Sequence, residues 1–207
     1  MARYQDYIIK DGKFIGKFEE MYQRFEDPWR QAAFDSNLGS YSKNIAILNM
    51  KKHKLGSIVE CGCGLGYYTD MINKNIEGIK IKGIDISLSA IKRAKALHSG
   101  VDFTTDNINN IERYANYRNV LLAEVTWYIL NDLDTVFKKM LSHFRGGYFL
   151  HNLVFYRDGV QKYGREFFTT LGQFIDYVPF KLVGQSQAEI SGKDTIETST
   201  IFKITPK

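Results

Sequence analysis

A chain of 207 residues, 44% hydrophobic and 25% charged, has the makeup of one ordinary globular domain with a sizeable core. No apolar run approaches the roughly 20 residues of a membrane helix, and MARYQDYIIKDGKF at the N-terminus lacks the apolar core of a signal peptide, so the expected location is cytoplasmic. The net charge of +5 comes from lysines scattered over predicted helix surfaces and loops, among them Lys51, Lys74, Lys82 and Lys95, a pattern that argues against a dedicated nucleic-acid face.

Residues 1–54 read as a helical cap on a core spanning 55–207, within a single domain. Phe18, Met21, Tyr22 and Phe25 recur at helical spacing until Asp27-Pro28 breaks the helix. A second helix is expected from Ser40 or Ser42 as N-cap through Ile45, Ile47, Leu48 and Met50. Strands and helices then alternate. Strands are expected at 57–60, 79–86, 101–104, 119–123 and 148–154, and helices at 67–75, 87–98 and 131–144. Such alternation predicts a mainly parallel sheet with helices on both faces. The tail reads as a helix at 167–177 followed by two strands, 180–190 and 195–204, joined by Ser191-Gly192-Lys193; a terminal hairpin implies an antiparallel edge.

The segment Ile58-Val59-Glu60-Cys61-Gly62-Cys63-Gly64-Leu65-Gly66 closes a predicted strand and opens a helix. Alternate glycines let the backbone turn tightly and approach a ligand, and the helix N-terminus supplies free N–H groups. Asp85 ends the next strand, about 20 positions on, where an acidic side chain accepts hydrogen bonds from ribose hydroxyls. A dinucleotide fold needs a third glycine where Tyr67 stands, and the segment does not match the phosphate-cradling G-x-x-x-x-G-K-[ST] pattern. Cys61 and Cys63 are too close for an unstrained disulfide and too few for structural zinc.

The runs VECGCGLGYYTDMI, GIDIS, VDFTTDNI and LLAEVTWYIL resemble, in order and spacing, the first four motifs of class I, Rossmann-like S-adenosylmethionine-dependent methyltransferases. The resemblance covers residues 57–154. It implies an α/β, doubly wound, mostly parallel seven-stranded sheet with an antiparallel last strand, and S-adenosylmethionine as cofactor, leaving S-adenosylhomocysteine. By position it implies that Glu60 approaches the methionine amino group and that Gly62, Gly64 and Gly66 line the methionine and ribose. Asp85 would hold the ribose hydroxyls, Ile86 would pack on the adenine, and Asp106 would accept from the adenine amine with the Asn107 backbone beside the ring. Glu124 would lie near the methionine moiety and the acceptor; the family often has Asp or Asn there.

Open α/β sheets gather reactive residues at the carboxyl ends of their strands. That places Glu124, Trp127, Tyr128, His151 and Asn152 as candidates: His151 as base because its free pKa lies near neutrality, Glu124 as a second catalytic group, and Trp127, Tyr128 and Asn152 toward the acceptor. His151 also reads as a buried, hydrogen-bonded core residue, and Trp127 and Tyr128 as core packing. Residues 25–30, Phe-Glu-Asp-Pro-Trp-Arg, are similar to a lid segment of bacterial small-molecule and surface-glycan methyltransferases, which implies Trp29 in a lid and Arg30 facing an anionic acceptor; a packing role for the same residues stands beside this. The expected reaction is methyl transfer to oxygen or nitrogen of a small polar metabolite, a capsule or surface-glycan precursor among them, by a monomer or homodimer without metal. The alternatives are a nucleic-acid methyltransferase, which the missing proline after the fourth strand disfavours, and an inactive binding subunit that keeps the fold.

Overall fold

The computed structural model describes residues 3–10, 12–33, 38–157 and 160–207. The N-terminal region is less helical than its aromatic spacing suggests. A 3-10 turn at Tyr4–Tyr7 leads into a small antiparallel hairpin, β1 (Ile9–Lys10) and β2 (Lys13–Phe14), before helix α1 (Phe18–Arg24). Positions 34–37 of the expected cap lie outside the described residues. Helix α2 (Tyr41–Lys52) starts where expected: the Ser40 hydroxyl accepts from the Lys43 N–H and caps the first turn.

The core then alternates as β3 (Ser57–Cys61), α3 (Tyr67–Asn75), β4 (Lys80–Asp85), α4 (Leu88–Leu97), β5 (Asp102–Thr105), β6 (Val120–Ala123), α5 (Leu133–His143), β7 (Tyr148–Tyr156), α6 (Leu171–Tyr177), β8 (Phe180–Glu189) and β9 (Thr195–Pro206). They form a seven-stranded sheet in the order β5-β4-β3-β6-β7-β9-β8. The first five of these strands are parallel, and β9 runs antiparallel to both β7 and β8.

The terminal hairpin β8–β9 forms the antiparallel edge that the sequence reading expects. The last strand is inserted between β7 and β8, so β8 is the edge. The physical cause lies in burial. Thr198, Ser199, Thr200, Ile201 and Phe202 are all buried, as an interior strand requires, whereas Lys181, Val183, Gln185, Gln187 and Glu189 of β8 are exposed in alternation. The sequence reading places this strand at 195–204, and only its interior position is hidden by its hydroxyl side chains.

Between β5 and β6 the chain forms 3-10 turns over Ile108–Tyr117, an element the sequence reading did not anticipate. Ile108, Ile111, Tyr114 and Tyr117 are buried, and a spacing of three is what a three-residue turn aligns on one side. They pack with α5 and α6 on one face of the sheet against Leu122, Phe149 and Phe202. On the other face α2 and α3 cover Leu121, Leu150 and Ile201. The alternation of neighbours such as Leu121 and Leu122 between the two clusters is the two-residue period of a strand buried on both sides. No helix among the described residues is long and apolar enough to cross a membrane.

Candidate active site

The carboxyl ends of β3, β4 and β6 open into a cavity of about 580 Å³, within the ~300–1,000 Å³ of small-molecule sites. At one end stand Glu60, Gly62, Asp85, Ile86, Asp106 and Asn107; at the other stand Ser40, Ser42, Lys43, Glu124, Tyr156 and Glu197. Phe14, Phe18, Trp29 and Tyr128 line it from the cap side. Tyr128 is the hub of this wall, with ring centroids 5.3 Å from Phe18 and 5.8 Å from Trp29.

Glu60 sits at the end of β3, flanked in register by Gly83 and Leu121. Thr69 of α3 donates to it at 2.6 Å. Burial pushes its pKa up to about 7, against the opposing pull of Thr69 and Lys43. Asp85 ends β4. One carboxylate oxygen accepts from the Gly64 N–H and the other from the Ser87 N–H, each at 2.9 Å. Each oxygen keeps a second lone pair for a diol. Burial raises the Asp85 pKa, and the two N–H groups pull it back.

The glycines are required by the loop's own geometry. Gly62, Gly64 and Gly66 all have positive φ, at 75°, 56° and 78°, which only glycine adopts freely. Gly62 alone of the three lines the cavity. A Cβ on Gly64 would stand 2.4 Å from Gln31 Oε1, and one on Gly66 would strike Phe103 at 2.5 Å. Of the three, the structure places Gly62 on the cavity wall and Gly64 and Gly66 against Gln31 and Phe103. The cap docks on the loop through Gln31, which donates to Cys63 O at 3.2 Å and accepts from Leu65 N at 2.7 Å. Arg93 of α4 reinforces this by donating to Phe25 O and Glu26 O.

Ile86 is half exposed at the cavity rim. Asp106 is more heavily used than the resemblance implies. Asn110, Tyr114, Arg113 and the Asn107 N–H all donate to its carboxylate, and together they overcome the effect of burial to lower its pKa. The Asn107 N–H is thus already bonded, and its side chain caps the following turn through Asn109 N.

Glu124 follows β6 with φ of 60°, a left-handed conformation uncommon outside glycine. Its N–H donates to Asn152 O, and its carboxylate accepts from Val154 N at 3.0 Å. These contacts hold the strained residue with its carboxylate on the cavity wall. Burial raises its pKa to about 7, with Val154 N and Lys43 opposing and Glu197 adding to the rise. Glu197 of β9 reaches the start of α2, accepting from Ser40 Oγ at 2.8 Å and Ser42 N at 3.1 Å.

The structure does not bring every candidate to this cavity. His151 is fully buried in the core on the face of β7 away from α2. It shares a 2.7 Å hydrogen bond with Thr126 Oγ1 and stacks on Phe174 at 4.0 Å. Burial lowers its pKa to about 3, and a neutral imidazole sealed from the cavity is poorly placed to take an acceptor's proton. Asn152 is also buried and away from the lining; it accepts from Tyr68 OH and donates to Ser42 O, fixing α2. Arg30 has φ of 53° and an exposed side chain that does not line the cavity. Trp127 touches the cavity but is mainly core, donating to Val154 O and packing on Phe155 and Phe168. Among the described residues no three His, Cys, Asp or Glu side chains are grouped to hold a metal ion.

Gln31, Ser40, Ser42, Lys43, Tyr156 and Glu197 carry no motif and were missed. Lys43 alone had a signal: a cation in the first turn of a helix opposes the macrodipole.

His151→Ala is expected to cost about 2–4 kcal/mol of stability while leaving ligand affinity unchanged. Because the folded imidazole titrates near 3 rather than 6.5, the unfolded chain takes the proton first. The stability it contributes is present above pH 6.5 and falls toward pH 3 by up to about 1.4 kcal/mol per unit. Melting curves from pH 8 to 5 should show a shallower acid decline in the variant.

The model of the family described as nodulation protein S (NodS) matches residues 19–146. The chain is similar over 89% of its length to the crystal structure of N-methyltransferase NodS from Bradyrhizobium japonicum WM9 in complex with S-adenosylhomocysteine. It covers 97% of that chain, with a TM-score of 0.66 and 17% identity. A TehB-like S-adenosylmethionine-dependent methyltransferase from Corynebacterium glutamicum matches over 91% of this chain and 99% of its own, at TM-score 0.62 and 14% identity. At such identities the likeness shows the fold alone. In sequence, 88 residues are 31% identical to malonyl-[acyl-carrier protein] O-methyltransferase of Bacillus anthracis; the match spans 42% of this chain and only about a third, 32%, of that relative. The sheet order, the glycine turn with its paired acidic residues, and the family match over most of the chain agree: the chain belongs to the nodulation protein S family, with the fold of the class I S-adenosylmethionine-dependent methyltransferases.

Proposed function

We propose that the chain binds S-adenosylmethionine and transfers its methyl group to oxygen or nitrogen of a small polar metabolite, a capsule or surface-glycan precursor among the candidates. The observation that carries this reading is a single cavity with two chemically different ends. Glu60 and Asp85 stand over the glycine turn at one end, Glu124 and Glu197 stand at the other, and Lys43 lies within electrostatic reach of Glu60, Glu124 and Glu197. The first end suits an amino group and a ribose diol. The second, with Tyr128 and Tyr156 as aromatic walls, suits a hydroxylated or aminated acceptor.

When bound, the cofactor supplies a methyl group on a positive sulfur, already a good electrophile. The protein's tasks are alignment and exclusion of water. The aromatic cap residues Phe14, Trp29 and Tyr128 serve the second task. Asp85 and Glu60 fix one reactant by charge-assisted hydrogen bonds. Glu124 would take the proton that the acceptor atom releases on methylation. A carboxylate titrating near 7 is matched to that transfer at neutral pH. Nitrogen acceptors gain support from the N-methyltransferase name of the structural neighbour and from the acidic acceptor end; the O-methyltransferase name of the partial relatives keeps oxygen in the proposal. We place the reaction in the cytoplasm on the same reading.

Calorimetric titration with S-adenosylhomocysteine should show micromolar binding, about −8 kcal/mol, with NAD silent. Absence of binding to the folded protein would reduce the reading to a statement of fold.

A further inference from the structure

We propose that the methyl acceptor is a two-part molecule. The part that receives the methyl group lies in the main cavity, and a second, uncharged ring bearing an O–H or N–H donor lies in an adjoining cavity against Gln161. The inference rests on the proposed methyl-transfer reading and extends it to the class of acceptor.

Place is the first observation. A second cavity of about 270 Å³ is lined by Ile9, Trp127, Tyr128, Tyr156, Gln161 and Tyr163, among others. Trp127, Tyr128 and Tyr156 also line the main cavity, so the two spaces adjoin across one aromatic wall. Phe14 of the cap stacks 6.3 Å from both Tyr128 and Tyr163, which ties the segment bearing Tyr163 to that wall.

An unanswered polar atom is the second observation. Gln161 is only 7% exposed, and its Nε2 donates to Tyr163 O at 3.0 Å and Phe168 O at 3.1 Å. Those two carbonyls fix which way the amide faces, because a flipped amide would set Oε1 against both of them. Oε1 is buried and has no hydrogen-bond partner among the described residues. A buried acceptor without a donor is costly. Because Gln161 lines the cavity, a ligand seated there can supply that donor. The segment is tightly held: Gly164 has φ of 72°, and a Cβ there would stand 2.6 Å from Leu130 Cδ1 and 3.4 Å from the Trp127 ring.

The walls select the ligand. Among the described residues no Asp or Glu lines this cavity, unlike the main one, and its one charged side chain, Lys162, is exposed. The Trp127 Nε1–H is already given to Val154 O. Ring faces and a single acceptor remain, which suit an uncharged ring that stacks and donates once. A saccharide ring and an aromatic ring carrying N–H share that chemistry.

The test titrates wild type, saturated with S-adenosylhomocysteine, with three probes that carry the same aminoethyl arm for the acidic end of the main cavity. They are tryptamine, its benzofuran isostere, in which oxygen replaces the ring N–H, and 2-aminoethyl glucoside. Calorimetry gives the affinities, and the Trp127 indole N–H resonance reports entry into the second cavity. Tryptamine should bind roughly 5- to 50-fold more tightly than its isostere and shift the Trp127 resonance. Whichever of tryptamine and the glucoside binds more tightly assigns the ring as aromatic or saccharide. Val160→Trp, which fills the second cavity from a position 39% exposed, should weaken both by at least about 10-fold and leave S-adenosylhomocysteine affinity unchanged. Equal affinity of wild type for tryptamine and its isostere overturns the proposal, and this arm depends on no variant folding. A Trp127 resonance that neither tryptamine nor the glucoside moves, or a Val160→Trp protein that binds both as wild type does, also overturns it. If wild type does not bind S-adenosylhomocysteine, the methyl-transfer reading fails, and the same probes titrated without it still decide the second cavity.

Discussion

Asp85→Ala is expected to weaken S-adenosylhomocysteine binding by about 1–3 kcal/mol and to lower the melting temperature as well. The two effects share a cause. The Asp85 carboxylate joins the first glycine turn to the start of α4, accepting from Gly64 N and Ser87 N. Removing it strips a diol of its charged acceptor and leaves two buried N–H groups without partners. Each such group costs about 1–3 kcal/mol, and in a domain of this size each kcal/mol lowers the melting temperature by about 2–4 °C. Asp85→Asn should rescue little, since one side of the amide would present N–H to N–H. Paired melting and titration experiments separate the terms. A folded variant with unchanged affinity would remove Asp85 from the ribose site, whatever happens to its stability.

Glu124→Gln is expected to reduce turnover by about 10²–10⁴-fold, the range for loss of a positioned proton acceptor, with cofactor affinity nearly unchanged. The amide can still accept from Val154 N, so the strained backbone at Glu124 remains supported. The pH profile carries the sharper information. With Glu124 raised to about 7, wild-type kcat should climb as pH rises through 7 and the carboxylate forms, and the variant should lose that limb. Glu60 titrates in the same region, but its ionisation should appear in cofactor affinity rather than kcat. A variant that keeps the wild-type rate and profile would return Glu124 to a purely structural role at the turn after β6.

The sequence by itself determined what depends on neighbours along the chain. The alternation of β3 to β7 with helices, the serine caps at Ser40 and Ser87, and the turn at Gly62, Gly64 and Gly66 follow from side-chain period, capping chemistry and the steric freedom of glycine. The glycine turn and Asp85 were legible because their separation reflects one strand and one helix of fixed length. The tertiary structure alone decided what depends on residues far apart. β9 entered the sheet beside β7 because its hydroxyl side chains find partners there, as Thr198 does with Leu153 O, which no hydropathy pattern reveals. His151 and Glu124 both follow the carboxyl-end rule, yet one faces Phe174 and the other the cavity. The strand period placed them near one another; which face of the sheet was lined by cavity and which by core was set by the packing of α6 and α2. Lys43, Gln31 and Glu197 come from a cap helix, a loop and the final strand, and only the folded chain brings them to the wall of one cavity.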